Sequence, residues 1–172
     1  MSTPRFADEL NVQIGHEFGA HQQYVAIGVY YDSLTMPAMA AYFYEQAMEE
    51  RSHAMMMVRF LLDIDEPVVI PGTDAPQCRF DDIVTPVALA LEQEQRVTTQ
   101  IHDLTRLARD ESDLAAEQFM QWFVKEQVEE CAGMRELLAV VTRGRDDIPY
   151  VEAYASKREP ESDPSAPTPA GG

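Results

Sequence analysis

Residues 43–60 read FYEQAMEERSHAMMMVRF and contain both the pattern of a packed helix and an exception to it. Apolar side chains recur every three or four residues, which predicts a helix with one buried face. Glu50 and His53 interrupt that face near its middle. They lie three residues apart, so both side chains project from the same side of the helix and can reach one metal ion. A carboxylate in such a position must be paired, neutralised or bound to a metal.

Three further stretches show the same apolar spacing with the same kind of interruption. On the apolar face of each, one glutamate lies near the middle: Glu17 in 10–31, Glu94 in 83–104, and Glu130 in 116–141. Midpoints of aligned helices lie at one level whichever way each helix runs. We therefore expect the four carboxylates to converge on one layer of the core, together with the imidazole of His53.

Proline, glycine and small polar residues divide the chain into four long helices and a short fifth one. Each long helix is about 40–45 Å long, and the turns at 35–37 and 111–112 are too short to cross that distance. The connection over 63–80 can stretch to about 60 Å, so it can run the length of the bundle. The sequence predicts an all-α fold, a four-helix bundle with one long crossover and a short fifth C-terminal helix over 148–155.

Small polar residues predict where the helices begin, because their side chains accept hydrogen bonds from free backbone N–H groups. Asp82 and Thr85 are both good candidates to cap the third helix, and the pattern leaves that choice open. The other predicted boundaries are Thr3 before Pro4 for the first helix, Ser112 before Asp113 for the fourth, and Gly144 as the end of the fourth.

The composition predicts one acidic domain over residues 1–155 and a disordered, acidic and proline-rich tail over 156–172. A net charge of −17 argues against nucleic acid as a partner, because such binding depends on basic residues. The chain has no apolar run near the roughly 20 residues of a membrane span. It also has no secretory signal and only two cysteines, so a cytoplasmic location is expected.

Several short motifs accompany the four glutamates. They are HQQY at 21–24, EERSH at 49–53, QFMQWF at 118–123 and EQVEE at 126–130. In this order across four helices, they resemble the bacterial non-haem ferritins over about residues 4–143. The resemblance implies a ferritin-like four-helix bundle. Such bundles carry a carboxylate metal site on side chains that project inward from facing helices. It also implies a hollow 24-subunit cage that oxidises Fe(II) with dioxygen or peroxide and stores ferric mineral inside.

The resemblance implies a ferroxidase centre with two iron positions. Glu17, Glu50 and His53 would hold the first iron. Glu50 would bridge to the second iron, which Glu94 and Glu130 would also hold. Two divalent ions supply about four positive charges, which matches the four carboxylates and leaves His53 neutral. A carboxylate-rich site with one imidazole favours a cation such as iron or manganese, and the resemblance implies iron.

Other residues near this centre have roles implied by the same resemblance. Gln127 would hydrogen-bond bound oxygen, and Tyr24 would donate a hydrogen bond or an electron. Glu49, Glu126 and Glu129 match the ligands of a third iron site. For these three glutamates, a solvated helix face is an equally good interpretation.

Two positions depart from the related bacterioferritins. Arg51 follows the bridging glutamate where bacterioferritins have a haem-ligating methionine, so we expect no haem there. Residues 127–130 read QVEE in place of a second Glu-x-x-His motif. The second iron would then have oxygen ligands alone, and we expect that position to release iron more readily.

Two other functions compete with iron storage. A di-iron or di-manganese enzyme that consumes peroxide without storing metal would usually have two histidine ligands. A DNA-coating mini-ferritin would need basic termini and a site between subunits. The sequence therefore favours an iron-storing ferroxidase whose partners are Fe(II), dioxygen or peroxide, and other copies of itself.

Overall fold

The computed structural model describes residues 5–158 and 163–171. This part of the chain contains no strand, and its five helices are α1 (Phe6–Ser33), α2 (Pro37–Asp63), α3 (Thr85–Asp110), α4 (Leu114–Arg143) and α5 (Ile148–Ala155). α1 packs along α2 and α3 along α4. Short turns join each pair, so both pairs are antiparallel, and residues 64–84 form the crossover. The predicted four-helix bundle with a short fifth helix is confirmed.

Two helix starts differ from the predicted ones. α1 begins at Phe6, and Arg5 before it is extended, with φ −90° and ψ 148°. Thr3 and Pro4, where the sequence predicts this start, lie outside the described residues. The prediction that Ser112 caps α4 is wrong. Its φ of 58° makes it the residue that reverses the chain, so the next residue becomes the cap.

Aspartates accept hydrogen bonds from free backbone N–H groups at the starts of α3 and α4. Asp113 accepts a hydrogen bond from the backbone N–H of Ala116 at 2.9 Å. Asp82 accepts hydrogen bonds from the backbone N–H and the hydroxyl of Thr85, at 2.7 and 2.9 Å. The N-cap residue of α3 is Val84, whose side chain makes no capping hydrogen bond, so neither candidate occupies that position. Asp82 instead accepts hydrogen bonds from the backbone N–H groups of Val84 and Thr85 from the preceding turn, and Thr85 is the first helical residue.

A side chain of the short helix α5 binds free backbone N–H groups at the N-terminus of α2. The Glu152 carboxylate accepts hydrogen bonds from the backbone N–H groups of Ala38 and Met39, at 3.0 and 2.8 Å. A carboxylate at a helix N-terminus is favoured by the helix dipole. Val151 and Ala155 of α5 are buried against the bundle. These contacts fix the orientation of α5.

Side-chain hydrogen bonds hold the crossover against α1. Asn11 donates to the carbonyl of Pro67 at 2.9 Å and accepts from the backbone N–H of Val69 at 2.7 Å. Further along α1, the Gln23 amide makes the same reciprocal pair of bonds with the backbone of Gln77, at 2.8 and 2.9 Å. The crossover therefore lies ordered along the bundle despite having no helix of its own.

The apolar core is divided into two clusters. One contains Leu10, Ile14, Met57, Leu61, Ile101, Leu104, Met120 and Phe123 among its buried members. The other contains Ile27, Tyr31, Phe43, Val87, Ala90, Met134, Leu137 and Val141 among its buried members. The four predicted glutamates lie between these clusters along their helices. The polar layer is therefore enclosed by apolar packing at both ends. None of the described helices combines the length and apolar character needed to span a bilayer.

The described C-terminal segment, residues 163–171, lies against α2 and α4. Asp163 accepts a hydrogen bond from Trp122 Nε1 at 3.0 Å. The backbone N–H of Ala170 donates to the carbonyl of Met55 at 3.0 Å. The sequence predicts disorder throughout this tail, because its composition offers little apolar area. In the structure the segment instead gains specific contacts with the surface of the bundle, which composition does not reveal.

The contact between the segment and α4 can be tested by fluorescence. Trp122 is the single tryptophan of the chain, so its emission reports on this place alone. Replacing Asp163 with alanine removes the acceptor of the indole N–H. We expect an emission maximum at longer wavelength and stronger quenching by acrylamide, since the indole becomes more hydrated. Asp146→Ala, at an exposed aspartate, is the control. Identical spectra for Asp163→Ala and the wild type would contradict the contact.

Candidate metal centre

Glu17, Glu50 and His53 converge in the polar layer. Each offers one ligand atom, and the three atoms lie within 4.8 Å of one another. His53 Nδ1 is 3.5 Å from Glu50 Oε2 and 3.9 Å from Glu17 Oε2. The three residues are only 1%, 2% and 4% exposed, in chain order. α1 supplies one possible ligand, Glu17. α2 supplies two, Glu50 and His53, through the predicted Glu-x-x-His spacing. The three ligand atoms are close enough together to hold one metal ion.

Glu94 and Glu130 approach the layer from α3 and α4 and are also buried. Both oxygens of Glu94 accept hydrogen bonds, one from the Tyr24 hydroxyl and one from Gln127 Nε2 at 3.1 Å. Among the described residues, the tight three-ligand groups do not include Glu94. The Glu94 carboxyl is instead held in place by hydrogen bonds from the Tyr24 phenol and the Gln127 amide.

A second group of three ligands lies on the α2–α4 side of the layer. It contains His53, Glu126 and Glu130, whose ligand atoms also lie within 4.8 Å of one another. Glu49 is half-buried nearby, and Glu129 is exposed. Of the three residues predicted to form a third site, the structure brings Glu126 into a tight group, while Glu49 and Glu129 belong to neither of the two groups.

A pocket of about 220 Å³ opens beside this second group. α2, α4 and the C-terminal segment form its wall. His53 is one of the lining residues, so the pocket reaches the centre itself. The carboxylates in its wall are Glu45, Glu49, Glu126, Glu129, Glu130 and Asp163. Such a wall attracts cations.

Burial changes the protonation of the layer. It raises the pKa of the Glu50 carboxyl well above its ordinary value, and the neighbouring carboxylates of Glu94 and Glu17 add to the rise. Burial also raises the pKa of Glu130 well above its ordinary value, with Glu94 and Glu50 adding to it. The pKa of Glu94 is raised by burial as well, although its two hydrogen bonds oppose the change. Without a cation, these raised pKa values favour the protonated, neutral forms of Glu50, Glu130 and Glu94.

The donor set fits a divalent cation. Glu17 Oε2 is buried and has no hydrogen-bond partner, although it lies in the tight group. A buried polar atom left in this way calls for a partner, and a metal ion would supply one. Carboxylate oxygens with one imidazole suit hard or borderline cations such as iron or manganese.

Two residues that support the glutamates are absent from the sequence prediction. Gln13 Nε2 donates to Glu17 Oε1 at 2.8 Å. Thr98 Oγ1 accepts a hydrogen bond at 3.3 Å from Gln127 Nε2, the nitrogen that also donates to Glu94. Gln13 comes four residues before Glu17, and Thr98 four residues after Glu94. That spacing, one helical turn on the same face, is the signal that identifies such residues.

Residues 7–143 match the family model described as ferritin-like domain. The chain belongs to the ferritin-like family. Its relatives include Ferritin BfrB of Mycolicibacterium smegmatis, 48% identical over 165 residues that cover 93% of this chain and 90% of the relative. A bacterial non-heme ferritin of Staphylococcus aureus is 33% identical over 154 residues, covering 90% and 93%. The predicted resemblance to bacterial non-haem ferritins is confirmed.

Solved ferritin structures have the same fold as this chain. The open-pore ferritin of the archaeon Archaeoglobus fulgidus superposes with a TM-score of 0.86 at 28% sequence identity, covering 90% of this ferritin and 96% of that chain. A structure described as a humanized archaeal ferritin superposes with a TM-score of 0.88 at 25% identity, covering 94% and 100%. The helical bundle and its C-terminal helix are therefore those of a ferritin.

Proposed function

We propose that this ferritin oxidises Fe(II) to Fe(III) in the polar layer of each subunit and stores the ferric product as mineral inside a hollow 24-subunit cage. The observation that carries the proposal is the convergence of Glu17, Glu50 and His53 into one buried group, with Glu94 and Glu130 beside it. A packed helical protein has no structural need for so many buried carboxyl groups at one level.

The first Fe(II) ion is held by Glu17, Glu50 and His53 in this proposal. The Glu50 carboxyl is close enough to both Glu17 and Glu94 for their charges to raise its pKa. Glu50 is therefore the residue that bridges to a second Fe(II) ion, which Glu94 and Glu130 also hold. Two divalent ions bring about four positive charges and replace the protons that otherwise neutralise the carboxyl groups.

Two Fe(II) ions at about 3.5–4 Å can deliver two electrons together to dioxygen or peroxide. Tyr24 and Gln127 act on the carboxylate of Glu94, since both donate hydrogen bonds to it. Burial raises the pKa of the Tyr24 phenol well above its ordinary value, so the phenol keeps its proton and remains a donor. If Tyr24 gave an electron to oxygen, its phenol would also release its proton. The hydrogen-bonded Glu94 carboxylate is placed to accept that proton.

The acidic pocket is the proposed path between the centre and the mineral. Glu49, Glu126 and Glu129 form a third position for iron there, and Glu126 lies in a tight group with His53 and Glu130. The carboxylates favour the harder Fe(III) product. Ions that leave the centre therefore meet a series of oxygen ligands before they reach the mineral.

Iron loading tests the proposal directly. Fe(II) is added in large excess to the purified apo protein in air, the soluble product is sized, and iron is counted per chain. Tens of iron atoms per chain in a particle of cage size would support oxidation with storage. Saturation near two or three iron atoms per chain, with the rest precipitating, would contradict storage. That result would favour a non-storing di-metal enzyme that consumes peroxide.

A further inference from the structure

The two oxygens of the Glu17 carboxylate have different surroundings. Oε1 accepts a hydrogen bond from Gln13 Nε2 at 2.8 Å. Oε2 has no hydrogen-bond partner and lies 3.9 Å from His53 Nδ1, within the group of possible ligands. Gln13 is 2% exposed, so this bond is shielded from water. One oxygen is therefore held, and the other is directed at the proposed iron position.

The amide of Gln13 can face Glu17 in only one way. Its Nε2 carries two hydrogens, one directed at Glu17 and the other at Gln100 Oε1, 3.2 Å away. Its Oε1 lies 3.2 Å from His16 Nδ1, which must donate because an amide oxygen only accepts. A flipped amide would place its oxygen against the carboxylate and lose these bonds. The Glu17 carboxylate, which only accepts, therefore directs the amide nitrogen toward itself, and Gln100 and His16 complete the hydrogen bonds of that orientation.

We propose that Gln13 is a positioning residue for the first iron position: by holding Glu17 Oε1, it presents Oε2 to the metal ion. This inference rests on the proposed function. Gln13 lies behind Glu17 and is not itself a ligand. Without the N–H of Gln13, the Glu17 carboxylate would be free to rotate about its terminal bond. Each metal-binding event would then have to order the carboxylate again.

Metal affinity measures this role without the oxidation reaction. Co(II) is a suitable probe, because its visible absorption depends on its ligands and it does not react with dioxygen in the way Fe(II) does. Gln13→Met keeps the length of the side chain and removes the amide. Loss of a residue that orients a ligand typically weakens metal binding by about 10–100-fold, and we expect at least about tenfold for the first Co(II) equivalent. In Fe(II) oxidation, we expect KM to rise more than kcat falls.

Gln23→Met is the matched control. Gln23 is a buried glutamine on the same helix, and its amide bonds to Gln77 in the crossover rather than to a glutamate of the centre. The same substitution there removes two hydrogen bonds but touches no proposed ligand. We expect its Co(II) titration to match that of the wild type. Gln100→Met and His16→Ala, which loosen the Gln13 amide from the surface side, should weaken the first equivalent by less than Gln13→Met.

The outcomes separate this inference from the proposed function. Wild-type Co(II) affinity in Gln13→Met, with assembly intact, would overturn the positioning role and leave the centre in place. An equal loss in Gln13→Met and Gln23→Met would also overturn it, because general loosening of α1 would explain both. If Glu50→Ala bound Co(II) as tightly as the wild type, the centre itself would be wrong, and this inference would fail with it. If Gln13→Met does not assemble, unchanged affinity in Gln100→Met and His16→Ala would overturn the inference.

Discussion

Glu50→Ala is expected to abolish rapid Fe(II) oxidation while the bundle remains folded. Glu50 belongs to the group with Glu17 and His53, and its carboxyl also interacts with Glu94. Its loss therefore damages both proposed iron positions at once. We expect the initial rate of Fe(II) oxidation, followed by absorbance, to fall by about 100-fold or more, since the proposed bridging ligand is lost rather than a supporting residue. The helical circular dichroism signal should be unchanged.

The control for this substitution is Glu92→Ala on α3. Glu92 is exposed and forms a salt bridge with Arg96, at 3.2 Å. Removal of an exposed ion pair of this kind has little effect on the stability of a protein. Its oxidation rate should equal that of the wild type. An unchanged initial rate in Glu50→Ala would overturn the assignment of the centre, whatever the amount of iron that the protein later accumulates.

The second large effect is a loss of stability of the apo protein as the pH rises from about 5 to 8. Burial raises the pKa of Glu50, Glu130 and Glu94 above the ordinary value of 4.5. Above the ordinary pKa the unfolded chain releases these protons, whereas the raised pKa values mean that the folded chain releases them at higher pH. Stability falls with pH wherever the folded state binds more protons. Each such group contributes a slope of up to about 1.4 kcal/mol per pH unit. The guanidinium midpoint of the apo protein should decrease across this window.

Two changes should flatten that pH dependence. Glu50→Gln has nearly the same shape but does not titrate, so the apo variant should lose part of the slope. Divalent metal bound in the layer replaces the protons, so the metal-loaded wild type should also lose most of it. If the guanidinium midpoint of the apo wild type were constant between pH 5 and 8, the raised pKa values would be wrong.

The central layer was predictable because it depends on local spacing and on helix length. Glu50 and His53 lie three residues apart on any α-helix, so their proximity needs no tertiary information. Glu17, Glu94 and Glu130 lie near the middle of their apolar stripes, and helices of similar length align their midpoints. The structure brings Glu17, Glu50 and His53 together as this argument predicts. Their roles as iron ligands stay predictions for the experiments above.

Details that depend on single backbone angles or on weak surface contacts were not predictable. Ser112 and Asp113 are both good capping residues, and only the positive φ of Ser112 assigns the cap to Asp113. The C-terminal segment has a disordered composition, yet Asp163 finds a partner in Trp122 across the surface of the bundle. Composition reports the average tendency of a segment, whereas such a contact depends on one donor at one place.

The sequence by itself determined the helical class, the hairpin topology and the level at which the acidic residues meet, because these follow from periodicity, turn length and helix length. Only the tertiary structure decided which oxygen of Glu17 is free, because the Gln13 amide that holds the other oxygen also binds Gln100 of α3. It also decided that Glu94 is held by Tyr24 and Gln127. Hydrogen bonds between side chains on different helices require the helices to be placed within a fraction of an ångström, and periodicity alone does not specify that.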